Sequence, residues 1–183
     1  MAANAEMQPI DEAVDHVRGG RADPAIVVYG DYQCPHSRVA VRELERIERR
    51  ADGTVRVAFR HFPLTHIHPR ALAAAAAAEA AALQERFCEM HTLLFHRQNA
   101  LEDDYLRRYA AKLDLDVARF EEDRAGPAVL ARVQRDVRSG RATGQVMGTP
   151  TLFIAGVVHR GSYKATALME ALERHIAAAS RVD

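Results

Sequence analysis

An α/β fold is predicted for this chain, in which a βαβ unit and a ββα unit share one sheet and are separated by an inserted all-helical subdomain. Three observations predict it. Apolar, β-branched runs at 25–29 and 55–60 flank a helical pattern, strand signals then vanish from 69 to 143, and they return at 151–159 ahead of a last helical repeat. At 183 residues the chain is long enough for one domain with a sizeable insertion. The corresponding divisions are residues 1–68, 69–143 and 144–183.

The first strand, Ala25-Ile26-Val27-Val28-Tyr29, is a continuous apolar run of the kind found in buried strands. A helix follows from Pro35 to about Arg50 with Ala40, Leu44 and Ile47 on one face, and Asp52-Gly53 offers a glycine for a left-handed cap. In Val55-Arg56-Val57-Ala58-Phe59-Arg60 the larger apolar residues alternate with Arg and Ala, so one face is buried more deeply. Strand, helix and strand in this order form a parallel, right-handed unit.

Four helical stretches are expected in the insertion, at Arg70 to about Asn99, Asp103 to Leu113, Val117 to Asp123 and Pro127 to Ser139. The breaks are Leu113-Asp114-Leu115-Asp116 and Ala125-Gly126-Pro127. The alanine-rich run 71–82 has maximal helix propensity and small side chains, which suits close helix packing. Thr151-Leu152-Phe153-Ile154, a turn at Ala155-Gly156 and Val157-Val158-His159 read as an antiparallel hairpin. The last helix, Lys164 to about Ala179, carries Leu168, Leu172 and Ile176 at four-residue spacing.

Composition narrows the function classes. Hydrophobic residues make up 48% and charged residues 27%, ordinary globular values. With 25 basic residues balancing 25 acidic ones and no long run of either sign, no nucleic-acid or membrane partner is expected. The first residues show no basic stretch followed by an apolar one, so a cytoplasmic location is expected.

Chemistry concentrates at Cys34-Pro35-His36-Ser37, where a strand hands over to a helix. Cys34 reads as the N-cap with Pro35 at the first helical position, where its missing N–H costs nothing. The unpaired amides of that first turn point toward the sulfur, and the aligned peptide dipoles favour a thiolate. The neighbours Gly30-Asp31-Tyr32-Gln33 are turn and polar residues, so the sulfur is expected at an exposed strand end. His36 is placed to put partial positive charge near the sulfur, and Ser37 to bring a hydroxyl near it. Cys88, inside a helical pattern, is expected to be a buried or half-buried packing residue.

The chain resembles the DsbA-like thiol-disulfide oxidoreductases, in the cytosolic-type branch of the thioredoxin-like superfamily. The residues that carry the resemblance are Tyr29-Gly30-Asp31-Tyr32-Gln33-Cys34-Pro35-His36, then Arg60-His61-Phe62-Pro63-Leu64, Phe87-Cys88-Glu89-Met90-His91, and Gly148-Thr149-Pro150-Thr151. The resemblance implies a thioredoxin-like fold with catalytic residues Cys34, Pro35, His36 and Ser37. It also implies a cis peptide before Pro150, with Thr149 and Pro150 docking substrate beside the thiol. Protein or glutathione disulfides and thiols are the implied partners, with no bound cofactor, glutathione as co-substrate, and a monomer or homodimer as the working unit.

Ser37 stands where the family usually has a second cysteine, so a mixed disulfide on Cys34 must be released by an outside thiol. The chemistry left is monothiol exchange, unless a serine has been introduced in place of a resolving cysteine. Two other readings compete: a non-catalytic thioredoxin-fold binding module or redox sensor, and an enzyme like the kappa-type glutathione transferases, which would use Ser37. No metal site is expected. His61, His66 and His68 fall in a loop without a carboxylate companion, and His91 and His96 stand five apart on a helix, a poor spacing for shared ligation.

Overall fold

The structure of the protein, a computed structural model, describes residues 6–20, 25–50 and 55–179. Its elements are β1 (His16–Gly19), β2 (Ala25–Gly30), α1 (Pro35–Arg50), β3 (Arg56–His61), α2 (Ala71–Ala82), α3 (Phe87–His96), α4 (Asp103–Lys112), α5 (Val117–Ala125), α6 (Pro127–Ala142), β4 (Thr151–Ile154), β5 (Val157–His159) and α7 (Ala165–Ala179). The glycine cap expected at Asp52-Gly53 lies outside the described residues.

One five-stranded sheet runs in the order β1-β3-β2-β4-β5. β2 and β3 are parallel, joined by α1, while β4 pairs antiparallel with both β2 and β5. This is the α/β arrangement expected. The central strand β2 is buried at every position because both faces of the sheet are covered. Side chains alternate across a strand, so Ile26 and Val28 join the larger core while Val27 and Tyr29 join a smaller one with Phe62, Val146 and Phe153. The larger core also takes the inner faces of α1 and α7 and most of the buried alanines of α2. On the other face α6 lies so close that a Cβ on Gly140 would come within 3.0 Å of the Tyr29 ring.

The fold departs from the sequence expectations in four places. The long helix from Arg70 to Asn99 is two helices, since Glu85 adopts φ +60° and the Arg86 N–H turns back to the Ala81 carbonyl at 2.9 Å. The insertion therefore has five helices, α2 to α6. A short strand, β1, pairs antiparallel with β3 and extends the sheet, although its four residues show no strand pattern. Ile176, placed on the inner face of α7 by its spacing, is 49% exposed because the helix runs past the edge of the core.

The fourth difference is Arg60. It is expected on the shallower face of β3, yet it is fully buried. Its guanidinium meets Asp15 in a bidentate pair, Nε to Oδ1 at 3.1 Å and Nη2 to Oδ2 at 2.7 Å. The remaining donors reach the carbonyls of Gln8 and Pro9 and the Tyr29 hydroxyl, so all five N–H groups are used. A buried guanidinium is tolerated only with such complete pairing. The segment before β1 supplies most of it.

Burial opposes ionisation of Asp15, but hydrogen bonds from Arg60, from the Asp11 N–H and from Arg135 outweigh it and hold the carboxyl below its usual range. Asp15→Ala is expected to cost about 3–5 kcal/mol at pH 7, read by urea denaturation, because it strands a buried cation. A depressed carboxylate contributes fully above its unfolded value of about 3.9 and less as the pH falls through the folded value. The difference between the two proteins should therefore shrink below that pH.

Candidate active site at the start of α1

Cys34 caps α1 as expected, its carbonyl accepting from the Arg38 N–H at 3.2 Å. Pro35 occupies the first helical position and is exposed, as is His36. The amides of the first turn have no partner within the helix. Across from them the Thr149–Pro150 peptide is cis, and the Cys34 thiol donates to the Thr149 carbonyl at 3.3 Å. The loop before β4 is tied locally, Thr151 Oγ1 donating to the Gly148 carbonyl and the Tyr163 hydroxyl to the Pro150 carbonyl. Thr149 Oγ1 is buried without a hydrogen-bond partner.

The sulfur is not at an exposed strand end. Cys34 is only 4% exposed, because the Thr149 carbonyl closes over it and the turn before it is drawn into the core by Tyr32. That ring packs among Phe59 and Phe95, with centroids 5.4 and 4.7 Å away. Of the four motif residues, the structure brings Cys34 together with Thr149. Ser37 is fully buried and its Oγ accepts from the Asp31 N–H at 3.2 Å. His36 points its surface to solvent.

Two residues that sequence reasoning missed hold the turn. Asp31 is buried, and its Oδ1 accepts from the Gln33 N–H while Oδ2 accepts from the Leu64 N–H and from His68 Nδ1, each at 2.8 Å. The Asp31 carbonyl also accepts from the Cys34 N–H. Gln98, just beyond α3, donates from Nε2 to the carbonyls of Tyr32 and Cys34 at 2.6 and 2.9 Å. The Asp just after an apolar strand was a readable hint of the first; nothing local signals the second, whose partners are more than sixty positions away.

The histidines also differ from expectation. Two of the three expected in the loop do have carboxylate companions, supplied from other elements: Asp31 for His68 and Glu79 for His61, the latter pair at 2.7 Å. His16 donates to the same Glu79 oxygen at 2.8 Å. Burial opposes ionisation of Glu79, yet these two hydrogen bonds hold its carboxyl far below the usual range. His91 is buried against Tyr32, whose hydroxyl lies 2.9 Å from Nδ1. Burial pushes the His91 pKa well down and the Tyr32 pKa well up, so the tyrosine O–H donates to a neutral ring. His66 and His96 are exposed. Cys88 is exposed too, and not the packing residue expected, because α3 buries the face of Phe87, Met90, His91 and Leu94.

Comparison with known proteins agrees with this fold. Residues 12–174 match the family described as Thioredoxin, and the chain belongs to it. Its fold is shared with solved DsbA structures. A thioredoxin-like oxidoreductase from Silicibacter pomeroyi superposes with a TM-score of 0.78 at 26% identity, covering 88% of this chain and 91% of that one. Alpha-DsbA1 of Wolbachia pipientis gives 0.77 at 19% identity over 92% and 94% of the two chains, and BdbD of Bacillus subtilis 0.76 at 20% over 93% and 97%, likenesses of fold. Among curated proteins, 178 residues are 45% identical to Na(+)/H(+) antiporter NhaA 3 of Salinispora tropica, covering 94% of this chain and 26% of that one. A Herminiimonas arsenicoxydans protein named Na(+)/H(+) antiporter NhaA is 41% identical over 91% and 27%. The chain thus spans about a quarter of the length of these relatives. Among the described residues no helix is long and apolar enough to cross a membrane.

Gln98→Ala frees two carbonyls of the active-site turn and is expected to cost about 1 kcal/mol of global stability. Hydrogen–deuterium exchange should quicken across residues 32–38 and stay unchanged in β4 and α6. Equal acceleration everywhere would show that Gln98 does not hold the turn in particular.

Proposed function

We propose that the protein is a thiol-disulfide oxidoreductase that works through Cys34 alone, by monothiol exchange with protein and glutathione disulfides. The observation that carries this is the Cys34 thiol at the N-terminus of α1, 3.3 Å from the carbonyl of Thr149 in the cis-proline loop, with serine at position 37. The Cys34 thiolate attacks one sulfur of a disulfide, forming a new S–S bond and expelling the other sulfur as a thiolate. A second thiol, such as glutathione, then attacks the sulfur that arrived with the substrate and returns Cys34 as the thiolate. Each step breaks one S–S bond and forms one, so the net reaction consumes one thiolate and releases another, with no outside oxidant or reductant and no net proton change.

Each part of the turn has a role in this cycle. The first-turn amides of α1 favour the anionic sulfur both as nucleophile and as leaving group. The thiol's bond to the Thr149 carbonyl must open as substrate enters, which exposes a sulfur that is covered at rest. Pro150 has no N–H, so the backbone beside it is left to an extended substrate segment, such as a peptide or glutathione arm. Pro35 fixes the start of the helix, and His36 stands exposed beside it, where its ring can meet incoming substrate. The buried Ser37 hydroxyl, engaged by the Asp31 N–H, favours this cycle over one that uses Ser37 as the reacting group. Both cysteines are free thiols, which suits the cytoplasm and its glutathione pool.

Incubation with a glutathionylated peptide should give a Cys34–glutathione or Cys34–peptide mixed disulfide, seen by mass spectrometry, and turnover with added glutathione. Cys34→Ala should abolish both, at least about a hundredfold. Ser37→Cys should shorten the life of the mixed disulfide by supplying an internal resolving thiol at high effective concentration. Turnover that survives Cys34→Ala would sink the proposal, and loss on Ser37→Ala alone would move the chemistry to the hydroxyl.

A further inference from the structure

We propose that His16, His61 and Glu79 form a binding site for one divalent transition-metal ion, with Zn²⁺ the ion their chemistry fits best. The site does not include the thiol and is independent of the reading given above for Cys34. Its three donors come from three elements, β1, β3 and α2, and all lie within 4.8 Å of one another. Two imidazole nitrogens and one carboxylate oxygen are a borderline-soft set that suits zinc, with water as the fourth ligand.

The framework around the donors is rigid. The His16 ring stacks on Phe87, centroids 3.4 Å apart and planes at 9°. The His61 main-chain N–H is held by Asp136 Oδ2 at 2.9 Å. Glu79 projects from the tightly packed alanine helix, its side chain only 7% exposed. His16, at 18%, is the open side through which an ion and its water could enter.

Both Nε2 atoms now donate to one carboxylate oxygen, at 2.8 and 2.7 Å. Around a tetrahedral ion with bonds of about 2.0–2.1 Å, neighbouring donors stand about 3.3 Å apart, so each nitrogen must draw back from the Glu79 oxygen by about half an ångström while the two nitrogens settle to the same spacing. Each ring must also offer a lone pair at Nε2, with its proton on Nδ1. His61 Nδ1 is buried without a hydrogen-bond partner, so the ring is held in its present tautomer by the Nε2–H bond to Glu79 alone, which the ion would replace. No redox change is involved. Arg132 Nε lies 3.9 Å from the shared Glu79 oxygen but its guanidinium also pairs with Asp136 at 2.6 Å, so its charge weakens the site without filling it.

The test uses the full chain with Cys34→Ser and Cys88→Ser, so that thiols cannot bind metal, and titrates ZnCl₂ against a chromophoric chelator. One ion should bind per chain and raise the melting temperature. His16→Gln in this background should weaken binding by about tenfold or more and remove the thermal shift, while His66→Gln and His96→Gln leave both unchanged. Should His16→Gln fail to fold, X-ray absorption of the zinc-loaded protein decides, with two imidazoles and oxygen in the ligand shell expected. Absence of stoichiometric binding, or binding indifferent to His16→Gln, or a ligand shell without two imidazoles, would overturn the site and leave the triad as a hydrogen-bonded structural element only.

Discussion

The buried carboxylate of Asp31 is the constraint on which the geometry of the thiol turn depends. It sits where β2 ends, and its two oxygens collect N–H groups from Gln33, from Leu64 and from His68. A carboxylate buried without such donors would be costly, and with them it becomes a fixed point. The main chain of the same residue accepts from the Cys34 N–H and donates to Ser37 Oγ. One side chain therefore sets the distance between the strand end, the first turn of α1 and the loop after β3. The sulfur inherits its position from that network and from the Thr149 carbonyl opposite.

The helical insertion does more than cover the sheet. Gln98 reaches back to the carbonyls on either side of Gln33, and His91 receives the Tyr32 hydroxyl. On the other side, Asp136 of α6 accepts from the His61 N–H, and Arg135 joins Arg60 on Asp15. The insertion and the segment before β1 thus share one set of buried polar contacts with β3. Such networks are stable only when nearly every member is paired, which makes the edge of the sheet specific in structure and intolerant of single truncations.

Much of this was legible in the sequence, and what was missed has a common cause. Runs such as Ala25–Tyr29 and the repeat Ala40, Leu44, Ile47 declare a buried strand and an amphipathic helix because burial follows local periodicity. The split between α2 and α3 was hidden because Leu83-Gln84-Glu85-Arg86 contains good helix formers; a left-handed Glu85 is favoured only by the packing on either side. β1 was hidden because His16-Val17-Arg18-Gly19 earns strand geometry from pairing with β3, not from its own composition. Arg60 read as a shallow position because alternation registers polarity, not the presence of a distant Asp15.

Sequence alone determined the α/β class, the order of the units and the capping of α1 by Cys34-Pro35, since each follows from residues within a few positions of one another. Only the tertiary structure decided that the sulfur is covered, that Cys88 is not, and that His16, His61 and Glu79 share an oxygen-centred cluster. Those facts depend on which surfaces meet across separations from eighteen to more than a hundred residues, where local periodicity carries no signal and the side chains must be brought together by the burial of others.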